Sequence, residues 1–170
     1  MMTVIVAGVS GSGKSTVGEL LAERLDWQFI DGDSLHPAAN IAKMARGEPL
    51  TDADRAPWLR RIGERIDAEE EAGRHSVVAC SALKRRYRTE LLRGRPDAWM
   101  AFLMIDYEAA CERLAARRGH FFDAALLGTQ FSALEAPAAD EDRVVPVPVL
   151  GGPSEVAEAV IGRLHQAISW

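Results

Sequence analysis

Residues 8–16 read GVSGSGKST and lie between a short apolar run, TVIVA at 3–7, and a segment with leucines at helical spacing. From Gly8 to Ser15 the stretch matches the pattern G-x-x-x-x-G-K-[ST] at every fixed position. Glycines let such a backbone curl until successive N–H groups face one point, and the following helix adds partial positive charge at its start. The sequence therefore predicts a phosphate-binding loop, or P-loop, between a buried strand and a helix.

Each residue type in this loop has a task in binding a nucleoside triphosphate. Lys14 is predicted to reach the β- and γ-phosphates, the Ser15 hydroxyl to ligate Mg²⁺, and Thr16 to contact the α-phosphate. The loop residues predicted to bind nucleotide are Gly8, Ser10, Gly11, Ser12, Gly13, Lys14, Ser15 and Thr16. A glycine-rich turn that binds nothing is the alternative, but this loop stands in the strand-to-helix context that the motif requires.

Short apolar runs alternate with amphipathic helical segments along the whole chain. The predicted strands lie at about 3–7, 27–30, 76–80, 99–105 and 144–150. Such alternation is typical of a parallel α/β sheet with helices on both faces. Pro146 and Pro148 indicate that the last strand is short or at an edge, because proline cannot donate to the ladder. We therefore expect an α/β, three-layer P-loop NTPase fold with a five-stranded parallel sheet.

Composition argues against several classes of protein. The 170 residues suit one domain, and 48% hydrophobic residues suffice for its core. A net charge of −5 argues against a dedicated nucleic-acid binder. No apolar run reaches the roughly 18 residues that span a bilayer. The two cysteines and four histidines have no metal-ligand spacing. We expect a cytoplasmic protein that binds neither membrane nor nucleic acid.

The chain lacks the patterns D-x-x-G and N-K-x-D that regulatory GTPases usually carry, so a small-molecule kinase is favoured. Asp31, Gly32 and Asp33 follow the second predicted strand, at the sheet edge where ligands bind. Asp33 is predicted to accept a proton from the substrate hydroxyl, and Asp31 to hold Mg²⁺ through a water molecule. A pair of surface turn residues is the alternative interpretation.

Several longer motifs point to one kinase family. They are DGDSLHP at 31–37, GEPLTD at 47–52, PWL at 57–59, CSALK at 80–84, RRGHFF at 117–122 and QF at 130–131. In this order they resemble the gluconokinase family, and the resemblance runs from Gly8 to about Pro137. The last strand and helix, from about Arg143, carry no distinctive motif.

The resemblance implies an enzyme that phosphorylates D-gluconate with ATP and Mg²⁺ to give 6-phospho-D-gluconate. It implies a single domain with a core at 1–33, 74–117 and 139–170, a helical substrate-binding insertion at about 34–73 and a lid at about 118–138. Members of the family are commonly homodimers, so a homodimer is expected.

Gluconate carries one carboxylate at the end opposite the phosphorylated hydroxyl, so its pocket needs cationic and polar side chains. The predicted substrate-binding residues are Asp33, His36, Lys43, Arg55, Lys84, Arg88 and His120. Arg55 is the favoured carboxylate partner, because arginine clasps a carboxylate with two parallel bonds. Lys84 and Arg88 lie four residues apart, which puts them on one face of a predicted helix.

Arg117 stands at the predicted end of the helix that leads into the lid. An arginine placed there could bind the nucleotide and neutralise charge as it develops on the transferring phosphoryl group. Lys14, Asp33 and Arg117 are therefore the predicted catalytic residues. The alternative for Arg117 is a favourable interaction with the helix carboxyl end.

Two other functions remain open at this point. A shikimate-like or other small-metabolite kinase would need the same kind of pocket, since shikimate also offers a carboxylate and hydroxyls. Only the longer motifs favour gluconate. A regulatory ATP-binding protein that no longer transfers phosphate is the second alternative. The presence of Lys14, Ser15, Asp31 and Asp33 together argues against it.

Overall fold

The computed structural model describes residues 1–117 and 124–168. The described strands are β1 (Thr3–Ala7), β2 (Gln28–Asp31), β3 (Ser76–Ala79), β4 (Ala98–Met104) and β5 (Val144–Pro148). The described helices are α1 (Lys14–Leu25), α2 (Ala38–Ala45), α3 (Asp52–Glu71), α4 (Arg85–Leu92), α5 (Tyr107–Ala115), α6 (Ala124–Ala133) and α7 (Pro153–Ile168). A 3-10 turn, Gly32–Leu35, follows β2 directly.

The five strands form one parallel sheet in the order β2-β3-β1-β4-β5. The central strand is β1, where Ile5 lies opposite Val78 on one side and Met100 on the other. Strand β5 lies at the edge, as its two prolines predicted. The chain runs to one side of β1 after the first crossover and to the other side later, so the loop after β1 lies at the topological switch point where ligands bind.

Side chains of β1 alternate between two hydrophobic cores, which is why the whole strand is apolar. Val4 and Val6 pack with helices α1 and α7 on one face of the sheet. Ile5 and Ala7 pack with α3 and α4 on the other face. The predicted three-layer fold is confirmed. In the described residues, the helices lack the combination of length and apolarity needed to cross a bilayer.

Helix α3 belongs to the predicted insertion at about 34–73 but also packs in the core. Its Trp58, Ile62 and Ile66, at helical spacing, are buried in the core against the sheet. The second half of the predicted substrate-binding segment is therefore also one of the covering helices. Its start is set by a capping box, in which Thr51 and Asp54 bond each other's backbone N–H groups.

Helix α5 ends at Ala115, before Arg117, where the sequence predicted its end. Its last turn tightens where the N–H of Arg117 bonds to the carbonyl of Leu114, three residues back. Arg117 thus lies just beyond the helix.

Candidate active site

The P-loop joins β1 to α1 in a conformation that depends on glycine. Gly11 has a φ of +83°, and a Cβ there would lie 2.7 Å from the carbonyl oxygen of Ala110 on α5. The loop is braced from within by Ser12, a fully buried residue whose hydroxyl donates to the carbonyl of Val9 at 2.6 Å. These constraints hold the loop curled at the start of α1, where a polyphosphate can meet backbone N–H groups and the positive helix end.

A cavity of about 530 Å³ opens over this loop. We call it the phosphate compartment, and its lining is Ser10, Gly11, Gly13, Lys14, Ser15, Thr16, Asp33, Leu114 and Arg117. Six of the loop residues predicted to bind nucleotide therefore meet here with Arg117. Gly8 and Ser12 shape the loop from below, since the Gly8 N–H donates to Ser81 O at 3.1 Å and the Ser12 side chain is buried.

A second cavity, of about 640 Å³, lies beside the first between α3, α6 and the loops after β2 and β3. We call it the acceptor compartment. It is lined by Ser10, Lys14, Asp33, His36, Met44, Glu48, Pro49, Leu50, Thr51, Asp52, Arg55, Trp58, Ser81, Lys84, Leu126, Thr129, Gln130 and Ala133. Two cations, Arg55 and Lys84, are combined with hydroxyl, amide and carboxylate groups and the aromatic Trp58. This lining suits a polyol that carries a carboxylate.

The two compartments share Ser10, Lys14 and Asp33. An ammonium group and a carboxylate thus stand where the end of a bound polyphosphate would meet a hydroxyl in the acceptor compartment. Phosphoryl transfer asks chiefly for positioning and for stabilisation of charge. The geometry of this junction supplies both.

The loop after β2 places the two aspartates in different positions. Asp31 caps the 3-10 turn, because its Oδ1 accepts the N–H of Asp33 at 3.0 Å. Gly32 allows the turn to lie close to β3, where a Cβ would be 2.3 Å from the carbonyl oxygen of Ala79. Trp58 Nε1 donates to the Gly32 carbonyl at 2.8 Å and fixes the turn against α3. Asp33 is thereby directed into the cleft.

His36 forms part of the wall of the acceptor compartment. Its ring is stacked on Trp58 at a centroid distance of 4.2 Å, and Asn40 Nδ2 lies 3.3 Å from its Nδ1. Burial lowers the pKa of His36; the nearby Asp33 raises it and Arg55 lowers it further. The imidazole is therefore neutral at pH 7 and suits a hydroxyl group better than a carboxylate.

Two cations reach the acceptor compartment from different helices, Lys84 from the start of α4 and Arg55 from α3. Lys84 Nζ donates to Asp52 Oδ1 at 3.0 Å, and the Tyr87 hydroxyl donates to the same oxygen. Those two hydrogen bonds lower the pKa of Asp52. The Arg55 guanidinium lies 5.7 Å from the Tyr87 ring centroid and donates to the Leu50 carbonyl. Both cations are thus held in place within the cleft.

Comparison with known proteins shows the family to which this chain belongs. A family model described as an AAA domain matches residues 3–137. A gluconokinase from Gluconobacter oxydans is 50% identical over 140 residues, covering 81% of this chain and 78% of that protein. The thermoresistant gluconokinase of Escherichia coli K12 is 46% identical over 145 residues, covering 85% and 83%. The chain belongs to the gluconokinase family.

A solved structure agrees with this assignment. The crystal structure of a gluconokinase from Sinorhizobium meliloti 1021 matches with a TM-score of 0.88 at 44% identity, covering 99% of this chain and 94% of that one. The resemblance seen in the sequence motifs is confirmed at the level of the family and of the fold.

Lys43 has a different position in this gluconokinase-family site from the one predicted. Its Nζ lies 2.7 Å from Asp54 Oδ2, and together with Thr51 it lowers the pKa of Asp54 to about 2. This pair ties α2 to the start of α3. Among the described residues that line the acceptor compartment Lys43 is absent, so the structure supports a positioning task rather than substrate contact. His120 lies outside the described residues.

The prediction that Arg88 binds substrate is wrong. Arg88 is fully buried, and its guanidinium pairs at two 2.8 Å contacts with Glu141, a half-buried residue whose side chain is 6% exposed. The Nη1 atom of Arg88 donates to the carbonyl oxygens of Ala82, Leu83 and Glu135. The pair lowers the pKa of Glu141. Arg88 therefore holds the loop after β3 to the segment after α6 and is a structural residue.

Replacement of Arg88 by alanine is expected to lower the free energy of unfolding by about 3–5 kcal/mol, because the Glu141 carboxylate is left buried without its partner. Urea denaturation followed by circular dichroism measures this change. The matched control is Arg93→Ala, which breaks the exposed pair with Glu90 and should cost less than about 1 kcal/mol. Equal effects of the two substitutions would contradict the structural role of Arg88.

Two residues of the cleft were missed by reasoning from the sequence. Asp52 binds Lys84 across 32 positions of sequence, and Gln130 reaches the P-loop from α6. In the sequence, Asp52 belongs to the motif GEPLTD and Gln130 to the motif QF. These motifs identify a family, but they do not show which groups Asp52 and Gln130 contact.

The residues of the phosphate compartment fit a magnesium ion carried by a nucleotide. The Ser15 hydroxyl and the Asp33 carboxylate line the same cavity, and oxygen ligands of this kind are those that Mg²⁺ prefers. In residues 1–117 and 124–168, no three His, Cys, Asp or Glu side chains cluster as a ready-made metal site. That matches an ion held largely by phosphates and water rather than by a protein cage.

Proposed function

We propose that this protein transfers the γ-phosphoryl group of MgATP to the terminal hydroxyl of D-gluconate, giving 6-phospho-D-gluconate and ADP. The observation that carries the proposal is the junction at which the phosphate and acceptor compartments share Lys14 and Asp33. The gluconokinase relatives, at up to 50% identity, support gluconate as the acceptor.

On the phosphate side, the loop N–H groups and Lys14 hold the β- and γ-phosphates. Bound Mg²⁺ would neutralise charge on the phosphates. Ser15, in the lining of the compartment, is the residue that would hold it directly; Asp31 caps the turn outside that lining, so it would act only through a water molecule. Arg117, which also lines the compartment, supplies positive charge to the transferring group.

In the transfer step, Asp33 orients the terminal hydroxyl of gluconate toward the γ-phosphorus and accepts its proton. A bond forms between the hydroxyl oxygen and phosphorus while the bond to the bridging β-phosphate oxygen breaks. Lys14 and Arg117 stabilise the charge on the moving group, which is where a fixed cation lowers the barrier most.

On the acceptor side, Arg55 binds the gluconate carboxylate and Lys84 contributes further positive charge. His36 offers a neutral hydrogen-bonding group to the hydroxyls, and Trp58 forms the floor. Arg55 reaches this site from the second turn of α3, whose start is fixed by the capping box. A carboxylate at that end places the far hydroxyl of an extended six-carbon chain toward the junction.

Replacing Arg55 by lysine is expected to raise the KM for gluconate about tenfold or more, with the KM for ATP within about twofold. Lysine keeps the charge but cannot form two parallel bonds to a carboxylate. Steady-state kinetics with each substrate varied in turn measures the change. Arg60→Lys on the exposed side of the same helix is the matched control. Equal KM values for gluconate in wild type and Arg55→Lys would exclude Arg55 as the carboxylate partner.

The substrate is tested by measuring ADP release with MgATP and D-gluconate, shikimate, glucose or no acceptor in parallel. The proposal expects release with gluconate only. Activity with shikimate but not gluconate would favour the shikimate-like alternative, for which the cleft offers the same carboxylate partner. ATP binding without release in any arm would favour a regulatory protein.

We also propose that the protein acts as a homodimer in the cytoplasm, as the gluconokinase resemblance implies. The net charge of −5 argues against nucleic acid or an anionic membrane surface as a partner. Light scattering behind a sizing column distinguishes a dimer of about 37 kDa, twice the 18.5 kDa of the chain, from a monomer.

A further inference from the structure

Helix α6 presents one face to the cleft and another to the core. Leu126, Thr129, Gln130 and Ala133, at the spacing of one helix face, line the acceptor compartment. Leu127 is buried, and Phe131 packs on the core and against Tyr107 of α5. The helix is therefore a wall of the acceptor compartment that is itself packed on the protein.

The carboxyl end of α6 is anchored strongly. The Glu135 N–H donates to Leu83 O at 2.9 Å, and the Glu135 carbonyl accepts from the buried Arg88 at 3.0 Å. The Glu135 carboxylate accepts the N–H of Arg85 at 3.1 Å. This end of the helix is thus fixed to the loop after β3 and to the start of α4.

Nearer its middle, α6 meets the P-loop through the side chain of Gln130. Gln130 Oε1 accepts the backbone N–H of Ser10 at 2.8 Å, and Gln130 Nε2 donates to Ser10 Oγ at 2.9 Å. The orientation of the amide is determined, because a backbone N–H can only donate and must therefore face the oxygen. The two bonds form a clasp between elements 120 residues apart.

The clasp lies at the junction of the two compartments, since Ser10 lines both of them. We propose that Gln130 is a positioning residue that latches α6 onto the P-loop beside the path of the transferring phosphoryl group. The latch keeps α6 over the junction and so limits the access of water to the γ-phosphate. This inference rests on the proposed kinase function.

Water is the competitor in any such site, because it accepts a phosphoryl group as the gluconate hydroxyl does. Loss of the clasp removes both of its hydrogen bonds. The expected effect of Gln130→Met, which keeps the length of the side chain, is a rise of about tenfold in the ratio of acceptor-independent ATP hydrolysis to transfer. Ser132→Ala, on the exposed side of α6, is the matched control and should leave the ratio unchanged.

The experiment combines this ratio with a double-mutant cycle on Gln130→Met and Ser10→Ala. If the clasp exists, the double variant shows less than the sum of the two effects, because both substitutions remove one shared bond. Additive effects, or transfer and hydrolysis that fall together at a constant ratio, would overturn the proposal.

Amide hydrogen exchange of the 124–134 segment gives a second readout that needs no acceptor. The latch predicts faster exchange of this segment in Gln130→Met than in wild type and Ser132→Ala, and unchanged exchange overturns it. If wild type releases no ADP with gluconate, the proposed acceptor fails, whereas the exchange result still decides whether Gln130 latches α6.

Discussion

Replacing Lys14 by alanine lowers kcat about 10³-fold or more. The ammonium group lies at the junction of the two compartments, where it stabilises charge on the phosphoryl group during transfer. Removal of one well-placed stabilising group of this kind costs about 10²–10³-fold in rate, and the lysine also contributes to binding of the phosphates. Saturating MgATP and gluconate in a coupled ADP assay measure the loss.

The control for this substitution is Arg24→Ala on the same helix. Arg24 bonds to Ser154 on α7, at the far end of α1 from the P-loop, so kcat should stay within about twofold of wild type. Thermal unfolding of Lys14→Ala should show an intact fold. A variant that lacks Lys14 yet keeps more than a tenth of wild-type kcat would show that the charge of this residue is not used in transfer.

Replacing Asp33 by asparagine lowers kcat about 10²–10⁴-fold, while the affinity for ATP changes by only a few-fold. General-base catalysis by a positioned carboxylate contributes an acceleration of this size, and asparagine keeps the shape but accepts no proton. Single-turnover phosphoryl transfer and equilibrium ATP binding separate the two quantities.

Asp31→Asn is the comparison within the same turn. An asparagine oxygen can still accept the N–H of Asp33, so the cap that directs Asp33 into the cleft is kept. We expect kcat to fall less than about tenfold. Near-normal kcat in Asp33→Asn, or a larger loss in Asp31→Asn than in Asp33→Asn, would mean that the two carboxylates have been assigned the wrong roles.

Much of the fold follows from local features of the sequence. The unbroken apolar run of β1 predicted a strand buried on both faces, and Ile5 and Val6 do pack in opposite cores. Pro146 and Pro148 predicted the edge position of β5. These predictions succeeded because burial and lost ladder bonds act on each strand independently of distant residues.

The substrate-side predictions were less complete, and Arg88 shows why. Its spacing from Lys84 suggested a shared exposed face, but Arg88 also lies three and four residues before Leu91 and Leu92, which are buried on the same side of α4. That apolar spacing was the available signal for a buried position. Glu141, which makes burial of the arginine possible, lies 53 residues away, and the sequence does not show that the two meet.

The junction itself could be predicted only in part. The P-loop and the Asp31–Asp33 turn were each recognisable, and parallel strands bring their carboxyl ends to one edge of the sheet. Which aspartate faces the cleft depends on the cap formed by Asp31 and on the hydrogen bond from Trp58 to Gly32. These contacts depend on tertiary packing and have no local signature.

The most direct test of the central claim is the ratio of 6-phospho-D-gluconate formed to ADP released by the wild-type protein with MgATP and D-gluconate. The product is quantified with 6-phosphogluconate dehydrogenase and ADP with a coupled assay. The junction of the two compartments predicts one 6-phospho-D-gluconate for each ADP, and almost no ADP when gluconate is left out. ADP release at the same rate with and without gluconate, or a phosphorylated product that the dehydrogenase does not oxidise, would contradict transfer to the terminal hydroxyl.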